Sequence, residues 1–209
     1  MKLLTLTSVV LMGLIINNAI RRSNARSRKA HDEFWDRERE SYRAPERSTE
    51  DLDFIRVPEN LPIHINTDDP QIKEYQETLE NLTKKDIINL SGISNTDIRM
   101  SYGKNNMEEL SKADQRYIVL CRNLNNLSAA YLEHEHRAEA EELLAYALSI
   151  GCDISTCWNN LGRCYLLRED RDSLHKLLSR AEALSDETVS KKEIVSGLKQ
   201  LSDLMDVVI

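Results

Sequence analysis

Leu124-Asn125-Asn126-Leu127-Ser128-Ala129-Ala130-Tyr131 and Trp158-Asn159-Asn160-Leu161-Gly162-Arg163-Cys164-Tyr165 share one pattern of residue sizes, thirty-four positions apart. Sliding the chain by that interval sets Leu127 on Leu161, Ser128 on Gly162 and Tyr131 on Tyr165. Further on it sets Ala140 on Leu174, Leu144 on Leu178 and Ala147 on Ala181. Such a period marks paired antiparallel helices that cannot bury their apolar face alone and so stack on their neighbours. The stretch Cys121–Glu187 therefore decides the fold. It is a helical hairpin written twice.

The second copy, through Trp158, Leu161, Gly162, Tyr165, Leu174, Leu178 and Ala181, resembles the tetratricopeptide repeat. The first copy matches through Leu127, Tyr131, Ala140, Leu144 and Ala147. The resemblance covers about a third of the chain. It implies an all-α fold, a right-handed α-α hairpin solenoid, with repeats at about 121–154 and 155–188 inside a helical domain at 67–209. A last helix at 186–208, with Ile194, Leu198, Leu201, Met205 and Val208 in one stripe, would cap the stack.

In arrays of this family the first helix of each hairpin lines a concave face, where extended peptides or partner helices dock. On this chain that face would display Arg122, Asn125, Asn126, Ala129 and Glu133, then Asn159, Asn160, Arg163 and Leu167. Asparagine offers both a donor and an acceptor, which suits a peptide backbone. The family's peptide-carboxylate clamp combines Asn with Lys and Arg. Here Asn125 and Asn159 stand where the lysine would be, which argues against capture of a C-terminal carboxylate. The two Asn-Asn pairs also read as plain polar surface.

Composition agrees with helices: four prolines and six glycines in 209 residues. The 28 basic and 35 acidic residues give a net charge of −7, which argues against wholesale nucleic-acid binding. Charge is uneven. Arg21–Arg47 holds nine basic and six acidic residues; apart from Lys2, the rest carries 18 basic and 29 acidic, a net −11.

Residues Leu3–Ile20 form an apolar run broken by Thr5, Thr7, Ser8, Asn17 and Asn18. Eighteen helical residues span roughly 27 Å, close to the roughly 30 Å hydrocarbon core of a bilayer. The expectation is a single transmembrane anchor at 1–22, in contact with the bilayer through residues 3–20. A cleaved signal peptide is the rival. Arg21, Arg22, Arg26, Arg28 and Lys29 after the run would keep the following domain in the cytoplasm by the positive-inside rule.

Residues 23–66 then divide into a charged stalk and a strap. The stalk reads as a solvated helix or, through Trp35, as one lying on the inner leaflet. In Asp51–Asn66, Pro58 and Pro62 forbid a long helix, and Phe54, Ile55, Val57, Leu61, Ile63 and Ile65 suit an extended strap. Asp69-Pro70 starts a helix carrying Ile72, Tyr75, Leu79 and Leu82. Leu90–Asn106 is rich in turn formers and reads as a crossover. Asn106 with Glu109 resembles a capping pair for a helix running to about Glu133, unbroken or broken near Ala113. Ser155, Asp170 or Asp172, and Ser185 are the expected caps of the later helices.

Catalytic patterns are missing. His134-Glu135-His136 lacks the histidine that a His-Glu-x-x-His zinc motif would need at Ala138, and falls on a turn. No phosphate-binding glycine loop and no nucleophile elbow occurs. Cys121, Cys152, Cys157 and Cys164 lack paired Cys-x-x-Cys spacing and read as small packing residues; Cys152 and Cys157 flank a helix start and could approach one another. No cofactor, metal or small-molecule substrate is expected. The sequence thus points to a membrane-tethered, cytoplasm-facing adaptor of bacterial type that binds a protein or peptide and is not an enzyme. Two alternatives stand beside it: an enzyme or enzyme subunit with its site in 90–106, and an extracytoplasmic anchored scaffold.

Overall fold

The structure, a computed structural model, describes the backbone of residues 2–208 and the side chains of residues 12, 13 and 16–206. Among the described residues there are eight helices and no strand: α1 (Lys2–Ser41), α2 (Pro70–Thr83), α3 (Asn95–Tyr102), α4 (Met107–Glu133), α5 (Arg137–Ser149), α6 (Ser155–Leu167), α7 (Arg171–Glu182) and α8 (Lys191–Val208). The all-helical expectation holds. The chain forms two compact units, Met1–Asp51 with Gly92–Glu108, and Leu52–Ser91 with Glu109–Ile209.

The expected transmembrane helix is not supported. Among the described residues no helix is long and apolar enough to cross a membrane. The apolar run does not form an element of its own but is the start of α1, one continuous 40-residue helix. From Met12 onward that helix meets Asn17, Asn18, Arg21 and Arg22 within ten residues, too polar for a hydrocarbon span. Most of the expected span's remaining side chains, residues 3–11, 14 and 15, lie outside the described residues.

In the first unit α1 packs on α3. The crossover expected over 90–106 is therefore partly helical. Ser94 caps α3 by accepting from the Asp97 backbone N–H at 3.2 Å, and Gly103 closes it at φ 84°. The guanidinium of Arg99 pairs with Glu38, donates from Nε to Ser41 Oγ at 3.0 Å, and lies 4.6 Å from the Tyr42 ring centroid. Asn106 Nδ2 donates to the Tyr102 and Arg47 carbonyls at 2.6 and 2.9 Å.

In the second unit the proline-containing strap is irregular backbone, with Val57 and Ile63 buried. Ile55 N–H donates to the Ile87 carbonyl at 2.8 Å. The buried Tyr131 hydroxyl donates to the Ile63 carbonyl at 2.6 Å and accepts from Gln76 Nε2 at 3.1 Å. Asp69 caps α2, accepting from the Gln71 and Ile72 N–H groups at 2.8 and 3.4 Å, with Pro70 in its first turn. α4 runs unbroken through Ala113.

α6 packs on α5, α7 and α8, and α7 on α8. The turns α4–α5 and α6–α7 share one hydrogen-bond pattern. His136 N–H donates to the Tyr131 carbonyl and Arg137 N–H to Glu135; thirty-four residues on, Asp170 N–H donates to Tyr165 and Arg171 N–H to Glu169. Asp170 caps α7 through the Ser173 N–H at 3.0 Å. Ser155 is no cap: α6 begins on it, behind Ile154, whose side chain has no acceptor. Ser185 does not open the last helix either. Its hydroxyl accepts from Glu187 N–H at 3.2 Å in a local turn, and α8 starts at Lys191.

Candidate functional site

The residues that define the two sequence copies are interior. Leu127, Tyr131 and Ala147 in the first, and Trp158, Leu161, Gly162 and Ala181 in the second, are buried. Tyr165 is half-buried, with the Arg168 guanidinium 5.4 Å from its ring centroid. The Trp158 indole N–H donates to the Cys152 carbonyl at 3.0 Å, satisfying a buried donor. Gly162 is a true close approach. A Cβ there would stand 2.7 Å from Leu198 Cδ2 and 2.9 Å from Leu201 Cδ1, so bare backbone lets α8 seat on α6.

The six candidate docking residues divide. Arg122, Asn126 and Arg163 are exposed, and Asn160 is half-exposed. Neither arginine makes a hydrogen bond or ion pair among the described residues. Asn125 instead faces the next helix: its Oδ1 accepts from Thr156 Oγ1 at 2.8 Å and from the Cys157 thiol at 3.4 Å. Its Nδ2 donates to Asn126 Oδ1 at 3.2 Å. Asn159 is turned inward against Gly197 of α8, where a Cβ would lie 2.3 Å from Asn159 Oδ1. That oxygen is buried without a hydrogen-bond partner.

The accessible members of this set are therefore Arg122 and Asn126 on α4 and Asn160 and Arg163 on α6, and the Asn125–Thr156 bond joins the two helices. Ile118 and Val119 extend the set toward the start of α4, and Leu167 extends it at the end of α6; all three are exposed. Ile118 was legible as the residue one turn before Arg122, at the i, i+4 spacing of a single helix face.

The histidines of the α4–α5 turn engage carboxylates locally. His134 Nε2 lies 3.5 Å from Asp69, and His136 Nδ1 lies 3.7 Å from Glu139. Among the described residues no group of three His, Cys, Asp or Glu side chains is placed to hold a metal ion. Arg99 and Glu38, the most enclosed ion pair of the first unit, are bound into helix packing. An open groove of about 910 Å³ between the end of α7 and α8 mixes Lys191, Lys192 and Lys199 with Glu182 and Asp186, and shows no nucleophile–base pair.

No family model, curated protein or solved structure matches this chain.

Proposed function

We propose that the second unit is a tetratricopeptide-like adaptor that binds a protein partner through an extended peptide segment laid across α4 and α6. The observation that carries this reading is the pair Arg122 and Arg163. Both are exposed on adjacent helices, without an ion-pair partner among the described residues, in a chain whose net charge is −7. Unpaired guanidiniums beside exposed side-chain amides suit a segment with acidic side chains and a free backbone. The thirty-four-residue recurrence of the turn hydrogen bonds supports the solenoid reading. Asn125 and Asn159 act inside the scaffold, so the docking chemistry rests on Asn126 and Asn160.

The test is affinity capture with the full chain as bait, against the double variant Asn126→Ala with Asn160→Ala. Each lost hydrogen bond to a peptide backbone costs roughly 0.5–1.5 kcal/mol, so the two together weaken binding about tenfold or more. Surface changes of this kind shift stability by only about half a kcal/mol. The control, His134→Ala with His136→Ala, should leave capture unchanged. Capture lost in the histidine variant and retained in the asparagine variant would overturn the reading.

A further inference from the structure

Three of the four cysteines meet where α4, the α5–α6 connection and α6 come together. Cys121 lies on α4, Cys152 follows Gly151 in the connection, and Cys157 stands in the first turn of α6. All three are buried and free. The Cys152 and Cys157 sulfurs lie 3.7 Å apart. A disulfide needs about 2.05 Å, so the sulfurs must close by roughly 1.7 Å. The segment Cys152–Ile154 is irregular backbone, free of helix geometry, and supplies that movement.

We propose that Cys152 and Cys157 form an oxidisable dithiol, closed to a disulfide by a hydroperoxide, whose closure alters the side-chain hydrogen bonding of Asn125. Reactivity requires a thiolate. Donation from the Cys121 thiol holds Cys152 below the ordinary thiol range, with the Ile154 backbone N–H assisting and burial opposing. Cys164 has no such donors, and burial pushes it up to about 11. The nucleophile is therefore Cys152.

The Cys152 thiolate attacks one peroxide oxygen; the O–O bond breaks and a sulfenic acid forms, the departing hydroxide leaving as water after protonation. The Cys157 sulfur then attacks the Cys152 sulfur, the S–O bond breaks, and the displaced hydroxide takes the Cys157 proton. In sum, two thiols and hydrogen peroxide give one disulfide and two waters. The proton lost is the one that Cys157 donates to Asn125 Oδ1 at 3.4 Å. Asn125 keeps its Thr156 donor at 2.8 Å and its own donation to Asn126 at 3.2 Å, so the change is passed to the amide beside the docking face. Control of docking by this route rests on the function proposed above; the disulfide itself does not.

The experiment treats the full chain with hydrogen peroxide, blocks the remaining thiols and maps the peptides by mass. The expected result is a fall from four free thiols to two, with Cys152 linked to Cys157 and Cys164 free. Cys164→Ser should give the same link. A dominant link from Cys121 or Cys164, or four free thiols in the folded chain, would overturn the dithiol. The side-chain amide signals of Asn125 should shift on oxidation of the wild-type chain and stay fixed in Cys152→Ser. Unmoved signals in an oxidised wild type would overturn the coupling. Neither readout needs a partner, so a failed capture experiment and a failed dithiol are told apart.

Discussion

Glu135 and Glu169, thirty-four residues apart, both adopt left-handed backbone, at φ 65° and 59°. Each is the central residue of a three-residue turn between helices, and each turn closes with the same hydrogen bonds. A non-glycine residue pays roughly 1–2 kcal/mol in this conformation, while glycine adopts it freely. Glu135→Gly and Glu169→Gly should therefore each stabilise the chain by about 1 kcal/mol or less, after the extra freedom of the unfolded state is counted. A β-branched Val at either position should destabilise it. Urea unfolding would show the equivalence of the turns as equal shifts; opposite signs at the two sites would deny it.

The Gly162 contact predicts a paired response. Gly162→Ala places a methyl group 2.7 Å from Leu198 Cδ2, an overpacking that typically costs about 1–3 kcal/mol. Combined with Leu198→Ala, the loss should be well below the sum of the two single losses, because the second change makes room for the first. A double-mutant cycle measures that coupling directly. Strict additivity would mean that α8 does not press on Gly162.

Tyr131→Phe tests what fastens the strap. It removes the donor to the Ile63 carbonyl and the acceptor of Gln76 Nε2, both buried, and should cost about 1–3 kcal/mol. Hydrogen exchange should accelerate in 52–66 more than in α6 or α7, since local opening follows the contacts removed. Uniform acceleration would show that the tyrosine acts on the whole unit.

Acid should weaken the unit through its caps. The Gln71 N–H, followed by the Ile72 N–H and His134, holds Asp69 below the usual carboxylate range. The Ser173 N–H and hydroxyl, with Arg168, do the same for Asp170. A depressed carboxyl contributes stability above its unfolded value of about 3.9, lost as the pH falls through the lower folded value. Thermal melting should therefore drop below about pH 4. Asp69→Asn with Asp170→Asn, which keeps an acceptor without the charge, should flatten that drop. An unchanged acid limb in the double variant would assign it to other carboxylates.

The helices from α4 to α7 were legible because local signals agreed with packing: Leu127, Leu144 and Leu161, one each on α4, α5 and α6, are buried, Leu178 of α7 packs against the same core, and Asp170 caps α7. α3 was not legible. Ser94 and Asn95 read as turn residues when taken singly, and only the packing on α1 and the Glu38–Arg99 pair turn Asn95–Tyr102 into a helix. The start of α8 was misplaced for a similar reason, because Ser185 satisfies a local turn as readily as a helix. For the candidate residues, helix phase alone did not give the neighbours. Asn125 and Asn126 differ by one position, 100° around the helix. That rotation sends one to Thr156 and leaves the other exposed. Asn159 shares the phase of Asn125, yet meets Gly197 where Asn125 meets a hydroxyl.

The interleaving of the two units has a consequence for synthesis. The chain passes from one unit to the other at three places, after Asp51, Ser91 and Glu108. Arg99 lies 61 residues beyond its partner Glu38, so the end of α1 leaves the ribosome well before the helix it packs on. At about 5–20 residues per second that delay is roughly 3–12 s. Nor can one proteolytic cut release either unit: the covalent thread between them has to be severed three times.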